Sequence, residues 1–205
     1  MTVEPPFDPE ALRELLRSLA PQQRLAFGLS CSERLYPNYV AFTREQEWGE
    51  PDTLRSALDL AWDAVLDRPP SREVVRRLKK HVEAAEPDTE NFGTILASSA
   101  LDAAAAAGLV LRLQETDDSN IAVEIASLAR DTVDMYVQMM EHLDPSEPAL
   151  ERKILNHRLM QAELRRQRDD LRQLASTPWS IVEARRLRAV WRSPAVSNLD
   201  LSPAR

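Results

Sequence analysis

TILASSALDAAAAAGLVLRLQ, residues Thr94–Gln114, decides the fold. Apolar side chains dominate this run, and two charges, Asp102 and Arg112, interrupt it. At about 100° of rotation per residue its apolar side chains point in nearly every direction, and a helix apolar on all sides is one that neighbours surround. Alanines at 97, 100 and 103–107, together with Gly108, keep it thin, so other helices can approach closely. The sequence therefore predicts a central helix over residues 94–114 with the rest of the chain packed round it.

The composition suits that arrangement. Of 205 residues, 43% are hydrophobic and 29% charged, and a chain of this length can bury a full core as one domain. Helix formers dominate, and no stretch alternates apolar and polar residues as a half-buried strand does. The fold class that follows is all-α: a single-domain bundle of eight or nine helices round the alanine-rich one.

Several chemistries drop out on residue count and spacing. Cys31 stands alone, which excludes an internal disulfide and argues against a thiol-rich metal site. Three positions before His81, His142 and His157 stand Leu78, Met139 and Ile154, so the Glu-x-x-His ligand pair of di-iron bundles is absent. Gly28, Gly49, Gly93 and Gly108 are isolated, so no loop has the clustered glycines that cradle phosphate. No cofactor and no metal is expected. The N-terminal MTVEPPFDPEA lacks the basic start and apolar centre of a secretion signal. Asp102 in the middle of the longest apolar run argues against a membrane span. A cytoplasmic protein is expected.

Net charge is −7, which disfavours non-specific binding to nucleic acid. The charge is uneven: residues 151–192 hold eleven Lys and Arg against five Asp and Glu, a net of +6, so the remainder carries −13. The arginines at 165, 166, 168, 172, 185, 186, 188 and 192 can pair with the acidic body, within or between subunits, or contact phosphates; pairing is the favoured reading.

Breaks and caps divide the chain. Residues 1–7 read as a flexible arm. Asp8-Pro9-Glu10 opens a helix, because aspartate caps and proline at the first position loses no bond. A second helix runs from Pro21 to about Tyr36, and Pro37 interrupts it. A short third helix reaches Gln46. Further helices follow over about 52–67, 72–85, 94–114, 120–143 and 149–175. The helical domain covers 8–176, an arginine-rich helix 177–192, and a disordered tail 193–205. The tight Thr116–Ser119 connection predicts an antiparallel hairpin of the central helix with the next one, and the first half of helix 149–175 is expected beside it.

The candidate polar cluster is Glu33, Arg34, Tyr36, Asn38 and Tyr39, with Asp59, Trp62 and Asp102. Asp102 is the most anomalous of these, since a carboxylate facing a dry core needs a partner or a raised pKa. An internal partner is favoured over an acid or base in a pocket, because spacing places no second catalytic group beside it. For Ser32–Tyr39 a helix corner round Pro37 is favoured over a site. The acids at 59, 63 and 67 read as a solvated face.

CSERLYPNYVAF (Cys31–Phe42), WGEPDTLRSALDLAWDAV (Trp48–Val65) and LDAAAAAGLVLRL (Leu101–Leu113) together resemble the YjaG-like family, domain of unknown function 416. The resemblance covers roughly residues 8–175, with 177–205 looking like an addition. It implies an all-helical single domain in the bacterial cytoplasm and brings no catalytic residue, ligand or cofactor. The expected function is a non-enzymatic interaction or scaffold domain that binds a protein partner or a second copy. The alternatives are a small-ligand binder or enzyme built on Glu33, Tyr39 and Asp102, and nucleic-acid binding through the arginine-rich end.

Overall fold

A computed structural model describes residues 5–192 and 196–201. These residues form nine α-helices and no strand: α1 (Pro9–Ser18), α2 (Pro21–Gln46), α3 (Pro51–Val65), α4 (Arg72–Ala84), α5 (Leu96–Thr116), α6 (Ser119–Met140), α7 (Leu150–Asn156), α8 (Arg158–Ser176) and α9 (Ile181–Arg192), with a 3₁₀ turn at Thr89–Asn91 before α5. The all-α, single-domain bundle read from the sequence is what the chain forms.

The start signals act as their chemistry dictates. Asp8 accepts hydrogen bonds from the backbone N–H of Glu10 and Ala11, with Pro9 at the first helical position. Ser71 accepts from Val74 N–H at the head of α4. Asp117 takes a left-handed conformation and Asp118 caps α6, so α5 turns directly back as a hairpin.

Two helices share the centre. α5 buries Ala100, Ala104, Ala106, Val110 and Leu111 completely. Its jacket is open along one stripe, where Leu101, Asp102, Ala105, Gly108 and Leu109 are half-buried and Arg112 is exposed. α5 is long and apolar enough to cross a membrane, yet most of it lies inside the protein. Its chief neighbour is α2, which also packs on α3, α6, α8 and α9. Every α2 residue from Arg24 to Leu35 is buried, polar ones included. Gly28 permits that closeness: a Cβ there would lie 3.1 Å from both Ile125 Cδ1 and Leu113 Cδ2.

Four features depart from the sequence reading. α2 continues through Pro37 rather than ending at Tyr36. Proline removes one helical hydrogen bond, but Leu25, Leu29, Leu35, Tyr39 and Phe42 keep helical spacing across it and all are buried. The helix expected over 149–175 is two helices. His157 is extended between them, and its Nδ1 accepts from Leu159 N–H at the start of α8. α8 packs on α6 and α2 rather than beside α5.

The fourth departure is the tail expected to be disordered. Residues 196–201 are ordered: Ser197, Asn198 and Leu199 are buried, and Asn198 N–H donates to the Arg34 carbonyl, one residue from the Glu33 carbonyl that Pro37 leaves without its helical donor. Residues 193–195 and 202–205 of that expectation lie outside the described residues. Of the arm at 1–7, residues 1–4 likewise lie outside them, while Phe7 packs on the core beneath Arg130.

Candidate functional site

α2 presents its polar residues to three different neighbours, and each set closes on itself. Toward α3 and α9, the fully buried Glu33 carboxylate accepts from Arg55 Nη1 (2.8 Å), Arg55 Nη2 (2.7 Å) and Trp62 Nε1 (2.9 Å). The paired guanidinium is the geometry that best satisfies a buried carboxylate. Arg55 also lies 3.4 Å from Asp59 and stacks over the Tyr36 ring at 5.2 Å. Asp59 in turn receives Arg188 (3.2 Å) and Arg192 (3.0 Å) from α9, and Arg188 reaches Asp63. Trp191 packs against Trp62, with ring centroids 6.1 Å apart. Charges thus alternate from the core outward. Asp59 and Asp63, read as solvated, are the docking face for the arginine-rich helix.

Toward α8, the buried Arg34 donates through Nε and Nη2 to Glu163 (both 3.0 Å) and through Nη1 to Asp170 (2.7 Å). Gln167 Nε2 donates both to Glu163 and to the Ala126 carbonyl. Burial opposes the Arg34 charge, but the carboxylates more than offset it, and its pKa rises above that of a free guanidinium. Burial pushes the Asp170 carboxyl up, with Arg34 working the other way. Burial also pushes the Cys31 thiol up to about 12. A thiol so protonated is no nucleophile at neutral pH; Cys31 is a core residue that accepts a long hydrogen bond from Arg34.

The end of α2 meets the tail and the α4 exit. Asn38, fully buried, donates to Asn198 Oδ1 (2.8 Å) and accepts from Ser197 Oγ (2.6 Å), while Asn198 Nδ2 donates to the Ala129 carbonyl. The Tyr39 hydroxyl donates to the Ala85 carbonyl (2.7 Å) and accepts from Glu50 N–H (3.1 Å). Gly49 sits tightly over that hydroxyl with φ +109°, where a Cβ would come within 2.8 Å of the oxygen. Burial raises the pKa of both Tyr36 and Tyr39.

Asp102 stands apart. It is half-buried, and its carboxylate accepts from Thr132 Oγ1 on α6 at 2.7 Å. Burial pushes its carboxyl up to about 6; the Thr132 hydrogen bond works the other way, and the Asp131 charge adds to the rise. The internal partner expected for it is this hydroxyl.

The eight residues therefore form no single site. Glu33, Tyr36, Asp59 and Trp62 come together; Arg34 faces α8, Asn38 the tail, Tyr39 the α3 and α4 ends, and Asp102 a different helix. None of them lines any of three surface clefts, of about 580, 430 and 360 Å³, among the described residues. Among the described residues no group of three or more His, Cys, Asp or Glu could hold a metal. Sequence spacing missed Arg55, Glu163, Asp170, Thr132 and Asn198, all of which complete these networks. Arg55, one turn before Asp59, was the detectable one.

The chain matches the family model described as protein of unknown function (DUF416) over residues 11–202. The uncharacterized YjaG proteins of Salmonella typhimurium strain LT2 and Escherichia coli K12 are 26% and 27% identical to it over 121 residues. That stretch is 58% of this chain and 61% of each relative. The crystal structure of a DUF416 family protein from Shewanella baltica OS155 superposes with a TM-score of 0.85 at 25% identity, covering 93% of this chain and 97% of that one. Of residues 177–205, which the sequence suggests are an addition, 177–202 fall within the family match, and 181–192 and 196–201 hold the α9 and tail contacts above. With the match spanning nearly the whole chain, this protein belongs to the DUF416 family of proteins of unknown function.

Proposed function

We propose that the chain is a non-enzymatic, cytoplasmic interaction or scaffold domain that binds a protein partner or a second copy of itself. One contrast supports the reading. The polar side chains best suited to chemistry are engaged internally, whereas large apolar ones stay in water. Met135, Met139 and Met140, near the end of α6, are 46%, 40% and 51% exposed. Methionine is unbranched and polarizable, and recurs on surfaces that adapt to protein partners. Exposed apolar groups gathered this way mark contact sites.

Photo-reactive methionine incorporated in cells tests the reading. The expected product is a protein adduct mapped to Met135, Met139 or Met140, with a second copy or with another chain. Absence of any such adduct counts against it. A thermal-shift panel of metabolites and divalent metals tests the ligand-binding alternative. A compound that stabilises the wild type but not Glu33→Gln or Asp102→Asn would replace our reading with that one. Low-salt anisotropy with a labelled DNA duplex tests nucleic-acid binding, which the engagement of Arg188 and Arg192 with Asp59 and Asp63 disfavours.

A further inference from the structure

The open stripe of α5 has an acid toward one end, a base toward the other and an apolar middle. Asp102, Ala105, Leu109 and Arg112 follow one another at intervals of three, four and three residues, so they share one helix face. On α6, Leu128, Thr132, Met135 and Met139 recur at four, three and four, and the Thr132 hydrogen bond to Asp102 sets that row beside the stripe. Leu128 is half-buried, and Met135 and Met139 are exposed. The two rows make one apolar face across the hairpin. That face also holds the two halves of an ion pair, unjoined. The Asp102 carboxylate accepts from a hydroxyl through Oδ2 but meets no cation among the described residues. Arg112 is exposed and has no ion pair among them either. Ten residues separate the two, about 15 Å along the helix, too far for them to meet within one chain.

From this arrangement we infer that the α5–α6 face binds a second copy of the chain, with two α5 helices antiparallel across a twofold axis near residue 107. The inference rests on the interaction-domain reading and chooses between its two kinds of partner. An isologous contact sets the same patch against itself, so positions equally far from the axis on opposite sides come level. Asp102 and Arg112 each stand five residues from position 107. The partner's Arg112 therefore comes level with Asp102, and the partner's Asp102 with Arg112. Ala105 and Leu109, two residues to either side, meet in the same way, small against large. A face that carries both members of its own ion pair is complementary to itself, and opposite charges placed this way fix register. Burial raises the Asp102 carboxyl in the isolated chain, and a guanidinium brought beside it offsets that cost. Met135 and Met139 extend the apolar face with side chains that adapt to what covers them.

Sedimentation equilibrium of the full chain at pH 7 and low salt tests this, with a reversible monomer–dimer equilibrium as the expected result. Arg112→Asp changes an exposed residue, so circular dichroism should show the fold intact. It is expected to weaken the dimer about tenfold or more, because both reciprocal pairs become repulsions. Asp102→Asn is close in shape, can still accept from Thr132, and is expected to weaken the dimer as well. In that background Arg112→Ala should add little further loss, since the pair is already broken. A chain that stays monomeric at about 100 μM, where even a weak specific dimer is populated, overturns the inference. So does a dimer indifferent to Arg112→Asp, or losses from Arg112→Ala and Asp102→Asn that simply add. A monomeric chain whose α6 methionines still form adducts with a different protein would sink this inference and leave the broader reading standing.

Discussion

Replacing Arg34 by methionine keeps the length of the side chain and removes the one cation between two buried carboxylates. Glu163 is fully buried, and Asp170 is 8% exposed. In the variant both keep their place but lose three hydrogen bonds, those from Nε and Nη2 to Glu163 and from Nη1 to Asp170. Breaking a buried ion pair from one side costs about 3–5 kcal/mol, because the surviving charge stays desolvated. For a chain of this size that lowers the melting temperature by roughly 6–20 °C.

The deficit should depend on pH in a stated direction. The Asp170 carboxyl is raised even with Arg34 present, and without the guanidinium it rises further. A carboxyl whose folded pKa exceeds its unfolded value gives most stability when protonated and loses it as pH rises through the folded value. The gap between Arg34→Met and wild type should therefore be widest at neutral pH and narrow on acidification. Urea unfolding followed by circular dichroism at pH 7 and pH 5 measures it. A second variant, Arg34→Met with Glu163→Leu and Asp170→Leu, should recover most of the loss, since well-packed apolar replacements of buried ion triads are often neutral or better. A loss under about 1 kcal/mol, or one that does not change with pH, refutes the view of this network as a desolvated, mutually dependent unit.

Three further outcomes follow from the packing. Ala104→Leu, at a fully buried position on α5, should cost about 1–3 kcal/mol or more by overpacking, read from the urea midpoint; a neutral result would mean that α5 is less enclosed than described. Asn198→Ala leaves Asn38 Nδ2 and the Ala129 carbonyl without their side-chain partner, and should cost about 2 kcal/mol, read from the urea midpoint. Asp102, with its carboxyl pushed up to about 6, should give a carboxyl NMR titration near that value. Its ionisation as pH rises through that range costs stability, so Asp102→Asn should melt higher than wild type at pH 8 and lose that advantage by pH 5.

Local chemistry was the legible part of the fold. Asp8-Pro9, Ser71 and Asp118 act within three residues of themselves, and the alanine-rich run announces α5 by its composition. Partners far away in the chain were not legible. Arg34 meets Glu163 and Asp170 at separations of 129 and 136 residues, and nothing in its neighbours marks it as buried. α2 looked ordinary for the same reason: its buried polar residues lower its apparent hydrophobicity, yet their partners make burial tolerable. Pro37 read as a break because the missing N–H is visible in sequence and the compensating burial is not. The tail read as disorder because Ser197 and Asn198 look like loop residues until Asn38 is placed beside them. The five candidate residues on α2 face different neighbours because α2 distributes them round its circumference, and Asp102 lies on another helix.

Asn198 closes a loop of 160 residues back to Asn38. A chain being synthesised from its N-terminus makes α2 well before the strap that completes it. Until residues 197–199 have emerged, the turn at Pro37 lacks the tail's backbone donor and Asn38 lacks both of its tail partners. Maturation of this long helix thereby waits for residues more than 150 positions further along. Chains that stop before residue 197 should be left with an unfinished interior, conspicuous to the proteases that clear incomplete products.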